Sequence, residues 1–277
     1  MIEKELGADV SDGKYQRCQR AIEALAAALR EAAPDVALVI GDDQRELFTD
    51  DGIPTFACFT GSSLIDAPPD AETRARIPRD DRAAYWAVHS DSAVVHPVDS
   101  GLSTHIAEQL AWDDFDLTVF SRQPAGRSLG HAFTFPWYRL GLPVTTPITA
   151  MFVNTYYPPN VPSPARCHAL GRALRRAVET WPAGTRVAVI ASGGLSHSVV
   201  NERLDRRVLV GIAAGPEGAE LLGDISRDDL RSGNSEILNW ITAAGALEGL
   251  TPTVLDYVPR YRTPAGTGAG MAFARWS

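Results

Sequence analysis

The chain has 277 residues, a formal net charge of -8 at pH 7 and 45% hydrophobic residues, the balance of a soluble globular protein. The acidic excess argues against nucleic acid or a membrane surface as partner. With no apolar run of 18 residues and no signal-like opening, a cytoplasmic protein is expected. Cys18, Cys58 and Cys167 are scattered without C-x-x-C spacing, which argues strongly against a cysteine zinc site and fits reduced thiols.

The first fifteen residues are polar and unpatterned. From Lys14 a helix is predicted, because Cys18, Ile22, Leu25 and Leu29 share one stripe. Pro34-Asp35 ends it, and residues 36–40 read as a buried strand. Directly beyond stands Gly41-Asp42-Asp43-Gln44-Arg45-Glu46, which is either a surface turn or the rim of a site at a strand–helix loop. Residues 53–59 read as a short strand. Residues 61–91, rich in proline and charge, read as an excursion with at most short helices.

His89 and His96 are expected to be structural or surface residues. Leu102, Ile106 and Leu110 mark a helix on which His105 is solvated, and residues 116–120 are strand-like. Gly130-His131 leads into the aromatic run Phe133-Thr134-Phe135-Pro136-Trp137-Tyr138. His131 is there either a core hydrogen bonder or the wall of a pocket for a flat substrate. A strand over 144–153 runs into Asn154-Thr155-Tyr156-Tyr157-Pro158-Pro159-Asn160, a loop costly to bury. Ser163-Pro164 gives an N-cap and a first-turn proline. The helix it opens has Cys167, Leu170, Leu174 and Val178 on its stripe and His168 outside.

Residues 187–191 (VAVIA) are apolar without alternation, as in a parallel strand covered on both faces. Ser192-Gly193-Gly194 ends that strand, and His197 follows at the carboxyl end, where open α/β sheets hold their ligands. A substrate-contacting role for His197 stands against simple packing. A helix is predicted over 202–211 and another from Gly233-Asn234-Ser235, with Glu236 in its first turn, where a helix N-terminus favours an anion in any case. The tail over 255–271, with Tyr257, Tyr261, Pro264 and glycines at 266, 268 and 270, reads as a loop wrapping a site. These glycines precede no helix, no phosphate-binding loop is present, and Ser196 lacks the second glycine of a nucleophile elbow. Without repeats or linkers, residues 1–277 form one α/β domain with a central mostly parallel or mixed sheet flanked by helices.

Taken together, Asp42-Asp43-Gln44, His131, Asn154 to Asn160, Gly193-Gly194-Leu195-Ser196-His197 and Ser235 to Trp240 resemble the class III extradiol ring-cleavage dioxygenases, the superfamily of the protocatechuate 4,5-dioxygenase catalytic subunit. The likeness runs from about Lys14 to Trp276. It is nearest to a bacterial branch with G-D-D-Q-x-E, N-T-Y-Y-P-P-N, G-G-L-S-H and Y-R-x-P-A-G-T-G-x-G-M-A-F-A. The resemblance implies a non-haem Fe(II) held by two histidines and a glutamate, with a small catecholic aromatic and O2 at the open positions. By position it makes His197 the acid/base, Glu236 the carboxylate ligand and His131 a second pocket histidine. Tyr156 or Tyr157 would line the pocket and Asn154 would hold its loop, while Arg262 and Arg166 are either readers of a substrate carboxylate or structural.

The metal histidines depart from that pattern. One belongs to a Ser-His-x-Pro loop, and this chain begins in the region that would follow it; the other is replaced in Asp43-Gln44. Four accounts stand open. The chain is a truncated enzyme, or Gln44, Asp43 or Glu46 join Glu236 in a rearranged site. Otherwise it is a non-catalytic companion subunit, or it does metal-independent chemistry with His197 and His131. Loss of the first strand is expected to leave unpaired backbone beside residues 36–40. A homo-oligomer or a heteromer with a related subunit follows from that expectation.

Overall fold

A computed structural model describes residues 5–277 except 70, 78–81, 83–84, 183 and 264–265. Pro264 and Ala265 of the C-terminal motif, and part of the excursion over 61–91, therefore lie outside the described residues. The chain opens on α1 (Ala8–Ala32) and β1 (Val36–Gly41), then β2 (Phe56–Phe59), β3 (Ser63–Asp66), α2 (Ala71–Arg76), β4 (Val94–Pro97), α3 (Ser100–Trp112) and β5 (Thr118–Phe120). It continues through α4 (His131–Leu140), β6 (Ile148–Val153), α5 (Pro164–Glu179), β7 (Val187–Ala191) and the two-residue β8 (His197–Ser198). Last come α6 (Glu202–Ala213), α7 (Ala219–Gly223), α8 (Ile237–Ala246), β9 (Pro252–Arg260) and β10 (Gly268–Trp276).

The central sheet has the order β5-β2-β6-β1-β7. It is mixed: β1 runs parallel to β6 and β7, and β2 runs parallel to β5 but antiparallel to β6. Every residue of β1 and β6 is buried, because the sheet is covered on both faces. Leu38 and Ile40 point into a core with Leu102, Leu170, Leu174 and Ile241 from α3, α5 and α8. Ala37 and Val39 point the other way, into a cluster with Phe133 and Trp137 of α4. Leu38 and Ile40 have no exposed surface, and burial of each is worth about 2–3 kcal/mol. Ser163 caps α5 through the Arg166 N–H, with Pro164 in the first turn, as its sequence requires. No described helix is long and apolar enough to cross a membrane.

Four expectations are corrected. β1 is paired on both sides, so no open slot lies beside residues 36–40; the edges of the sheet are β5 and β7, and the five residues of β7 are all half-buried. The first helix begins at Ala8 rather than Lys14. Its early turns are held by polar contacts that an apolar stripe cannot reveal: Lys14 Nζ donates to the Pro259 carbonyl at 2.7 Å, and Arg260 Nη2 donates to Ser11 Oγ at 2.8 Å. The tail over 255–271 is not one continuous loop: most of it belongs to the antiparallel strands β9 and β10, and it borders a cavity through Arg260, Thr263 and Met271. Two histidines are also more engaged than expected. His168 is buried with Nε2 3.4 Å from Glu248 Oε1, and His105 Nε2 lies 3.0 Å from the Ala177 carbonyl.

Candidate active site

β1 and β7 end side by side at their carboxyl ends, and α8 with the short 3-10 turn Ser232–Glu236 before it crosses that end. Asp42 comes from the end of β1 and is 1% exposed; Glu236 is 7% exposed. Between their carboxylates stands the Gln44 carboxamide, whose Nε2 donates to Asp42 Oδ2 and to Glu236 Oε1, each at 3.3 Å. The Tyr156 hydroxyl donates to Glu236 Oε1 at 2.8 Å, and the Gly194 N–H donates to Glu236 Oε2 at 2.7 Å. Asn239, one turn along α8, donates from Nδ2 to Asp42 Oδ1 at 2.9 Å and to the Ser192 carbonyl at 2.8 Å. Trp240 Nε1 donates to the Gly193 carbonyl at 2.8 Å. The helix is thus stitched to both strand ends.

His197 completes the group. Its Nδ1 lies 2.8 Å from the Leu195 carbonyl, which can only accept, so Nδ1 carries a proton. In the neutral ring Nε2 is then the free nitrogen, 3.6 Å from Glu236 Oε2. The imidazole is packed between two glycines. A Cβ at Gly194 would fall 2.4 Å from His197 Cε1, and one at Gly233 would fall 2.4 Å from His197 Cβ. A cavity of about 400 Å³ opens beside the ring, lined by Tyr156, His197, Ser232, Arg260, Thr263 and Met271 among others.

Burial, and after it the Glu236 charge, raises the Asp42 carboxyl well above the usual carboxylate range. Burial and Glu236 likewise raise the Tyr156 phenol and keep it a donor. His131, the first residue of α4, sits across the GDDQ loop from Glu236. Its Nδ1 is 2.6 Å from Glu46 Oε1, and Glu46 Oε2 accepts the Gln44 N–H at 2.7 Å. Burial opposes the charge on His131, but Glu46 outweighs it and lifts the imidazole to about 9. Glu46 is itself held low, His131 prevailing over burial.

Of the residues singled out in the sequence, the structure brings Gln44, Tyr156, His197 and Glu236 together. Asp43 and Glu46 do not reach Glu236: Asp43 accepts the Leu47 and Phe48 N–H groups at 2.8 and 3.1 Å, and Glu46 is bound to His131. Asn154 holds its own loop, with Oδ1 accepting the Tyr157 N–H and Nδ2 donating to the Tyr157 carbonyl, each at 2.8 Å. Tyr157 lies under the Arg45 guanidinium, 4.9 Å from its ring centroid. Arg262 is exposed; its neighbours Arg260 and Thr263 line the cavity instead. Arg166 stands over the Phe56 and Phe115 rings.

The family described as the catalytic LigB subunit of aromatic ring-opening dioxygenase matches residues 5–272. This chain belongs to that family. Among its relatives, a gallate dioxygenase of Pseudomonas putida is 39% identical over 108 residues, which are 38% of this chain and 30% of that protein. A 2,3-dihydroxyphenylpropionate/2,3-dihydroxicinnamic acid 1,2-dioxygenase of Comamonas testosteroni is 25% identical over 179 residues, 64% of this chain and 48% of the relative. The chain spans about half or less of the length of these relatives.

The iron implied by kinship with the LigB family can be tested against the donors present. A facial Fe(II) site asks for two imidazole nitrogens and a carboxylate oxygen. Beside Glu236 this chain offers one imidazole, His197, and a carboxamide turned the wrong way. Two carboxylates accept from Gln44, so its NH2 end faces the site, and an amide nitrogen has no lone pair to give. Among the described residues no group of three His, Cys, Asp or Glu is placed to hold a metal ion. These residues do not fit the iron site. Sequence reasoning had also passed over Asn239, whose link to Asp42 spans 197 positions and leaves no local signal.

Proposed function

We propose that this LigB-family chain seats a small phenolic or catecholic aromatic in the cavity beside His197 and takes the proton of its hydroxyl at His197 Nε2. One observation carries the reading: Nδ1 is committed to the Leu195 carbonyl, so the lone pair of Nε2 is at the cavity, with Glu236 close by. In that step the substrate O–H bond breaks and an Nε2–H bond forms. The imidazolium charge is balanced by Glu236, which Tyr156, Gln44 and the Gly194 N–H already hold in place. Tyr156 borders the ring-binding space. Arg260, on the same wall, offers a cation to an acidic substituent of the ring.

Ring opening with O2 as oxidant is the activity that family membership supports, and Fe(II) supplies the oxygen chemistry in such reactions when bound. The second imidazole such an ion needs is not placed at Glu236 by the described residues. What His197, Glu236 and Tyr156 do to the substrate is independent of that supply. A second reading, a companion subunit of a related enzyme, is favoured by the open edge of β7, which is apolar and only half-buried. A homo-oligomer would cover the same edge.

The deciding experiment is anaerobic calorimetry with gallate and with 2,3-dihydroxyphenylpropionate, the compounds in the relatives' names, followed by oxygen-electrode assays with added Fe(II). The expected result is one aromatic bound per chain, weakened at least about tenfold in His197→Ala. A well-folded chain that binds neither compound overturns the substrate reading. Co-purification with a related metal-bearing subunit would then favour the companion role.

A further inference from the structure

The G-G-L-S-H turn is anchored at a point outside the cavity. Asp205, in the first turn of α6, has no exposed surface. It accepts the Ser196 N–H at 2.8 Å, the Ser196 hydroxyl at 2.7 Å and the Tyr257 hydroxyl at 2.6 Å. None of these three donors is a cation. A carboxylate buried among neutral donors is costly to desolvate, and here it satisfies three donors that would otherwise be buried unpaired. Its contact with the Ser196 N–H also reaches the peptide that faces His197.

The Ser196 N–H and the Leu195 C=O belong to one trans peptide, in which the two groups point in opposite directions. Asp205 Oδ1 holds the N–H side. His197 Nδ1 holds the carbonyl side at 2.8 Å. The same turn is tied to β10 by Leu195 N–H to the Gly270 carbonyl at 3.0 Å and Gly270 N–H to the Ser196 carbonyl at 2.8 Å. With the peptide plane fixed, Leu195 presents an acceptor to Nδ1, so that in the neutral ring the proton sits on Nδ1 and the lone pair on Nε2.

We propose that Asp205 is a positioning residue for His197, acting through the Leu195–Ser196 peptide as a carboxylate–peptide–imidazole relay. It sets the Nδ1–H tautomer and polarises the ring, the part a triad aspartate plays by direct contact. Tyr257, whose phenol is kept protonated by burial and by Asp205, holds the carboxylate from the far side. The relay bears on turnover only through the role given to His197 above; the tautomer it sets does not depend on that role.

The test reads the tautomer directly. Protein with 15N-labelled imidazoles and no ligand is examined by long-range 1H–15N spectra, with His197 assigned by its loss in His197→Gln. The expected result is an Nδ1–H ring in the native chain, replaced by the Nε2–H form in Asp205→Asn, and a displaced His197 Nδ1 resonance in Tyr257→Phe. Cooperative melting of each variant establishes that it is folded. An Nε2–H ring in the native protein, or a folded Asp205→Asn with the native tautomer, overturns the relay. Should Asp205→Asn fail to fold, Tyr257→Phe decides, and an unmoved Nδ1 resonance there overturns it. No substrate or turnover enters the measurement, so a chain that binds no aromatic leaves the result standing.

Discussion

Gln44 Nε2 stands 3.3 Å from Glu236 Oε1 and equally far from Asp42 Oδ2, so a single amide separates two buried carboxylates. Removing it leaves two buried carboxyl groups facing each other without a donor between them. Gln44→Ala is expected to lower stability by about 1–3 kcal/mol, and Gln44→Glu by more. Urea unfolding at neutral pH measures both. Gln44→His places an imidazole beside Glu236 and His197, and should tighten Co(II) or Fe(II) binding about tenfold or more in anaerobic dialysis. Unchanged metal affinity in that variant would mean the amide position is not where the missing donor belongs.

Gly233 lies against His197 so closely that a methyl group must move the ring. Gly233→Ala is expected to cost about 1–3 kcal/mol of stability through overpacking. Displacing Nε2 by about 1 Å should cost roughly 100-fold in turnover of any aromatic the chain converts. Melting and rate measurements on one preparation separate the two effects. A variant with native rates would show that His197 tolerates displacement and stands outside the chemistry.

Asp43 predicts the pH dependence of stability. Burial dominates its two accepted backbone hydrogen bonds and raises its carboxyl from 3.8 to about 6. Between these values the unfolded chain has lost the proton and the folded chain keeps it. Stability therefore falls as pH rises from about 4 to about 6, by up to about 2–3 kcal/mol, and is level above. Asp43→Asn cannot titrate, so its stability relative to the native chain should improve over that window. Parallel slopes for the two proteins would assign the dependence elsewhere.

The His131–Glu46 pair loses stability on both sides of neutrality, His131 with the same sign as Asp43 and Glu46 with the opposite one. With His131 raised to about 9, its contribution is complete below about 6.5 and is lost as pH climbs through 9. With Glu46 lowered, its contribution holds above the usual carboxylate range and is lost in acid. The His131 side chain is 37% exposed, so solvent screening leaves the pair worth on the order of 1 kcal/mol. His131→Gln should cost that much near pH 7 and almost nothing at pH 10, which thermal melts at the two pH values compare.

Much of the fold was legible in apolar runs. β1 and β6 are covered on both faces, β7 is as apolar but stands half-buried at the sheet's edge, and α5 announces itself with Ser163, Pro164 and a stripe of core residues. The β9–β10 hairpin was not legible. Its residues are mostly half-buried between α1 and the cavity, so its strands show no alternation of period two. The β3–β4 hairpin hid in the same way within a segment dominated by proline and charge. At the site, His197 and Glu236 could be found because each closes a recognisable turn. Asp205 could not: among Glu202, Arg203 and Arg206 it looks like one more residue of a solvated helix face, and only the three-dimensional contact with Ser196 sets it apart.

The stitching of α8 to the ends of β1 and β7 makes the layer beneath His197, the floor of the site, part of the buried interior. Backbone amides of β1, which is paired on both sides, should exchange with solvent only when the whole domain opens, and an aromatic bound above that floor should slow their exchange. The roof belongs to the β9–β10 hairpin and the turn at Ser232, elements that fold back on the core without being its centre. Changes to the floor are paid for in folded protein, whereas changes to the roof leave the core intact. A lineage in search of a new aromatic would find its tolerated substitutions at Arg260, Thr263 and Met271 long before it found them at Asn239 or Asp42.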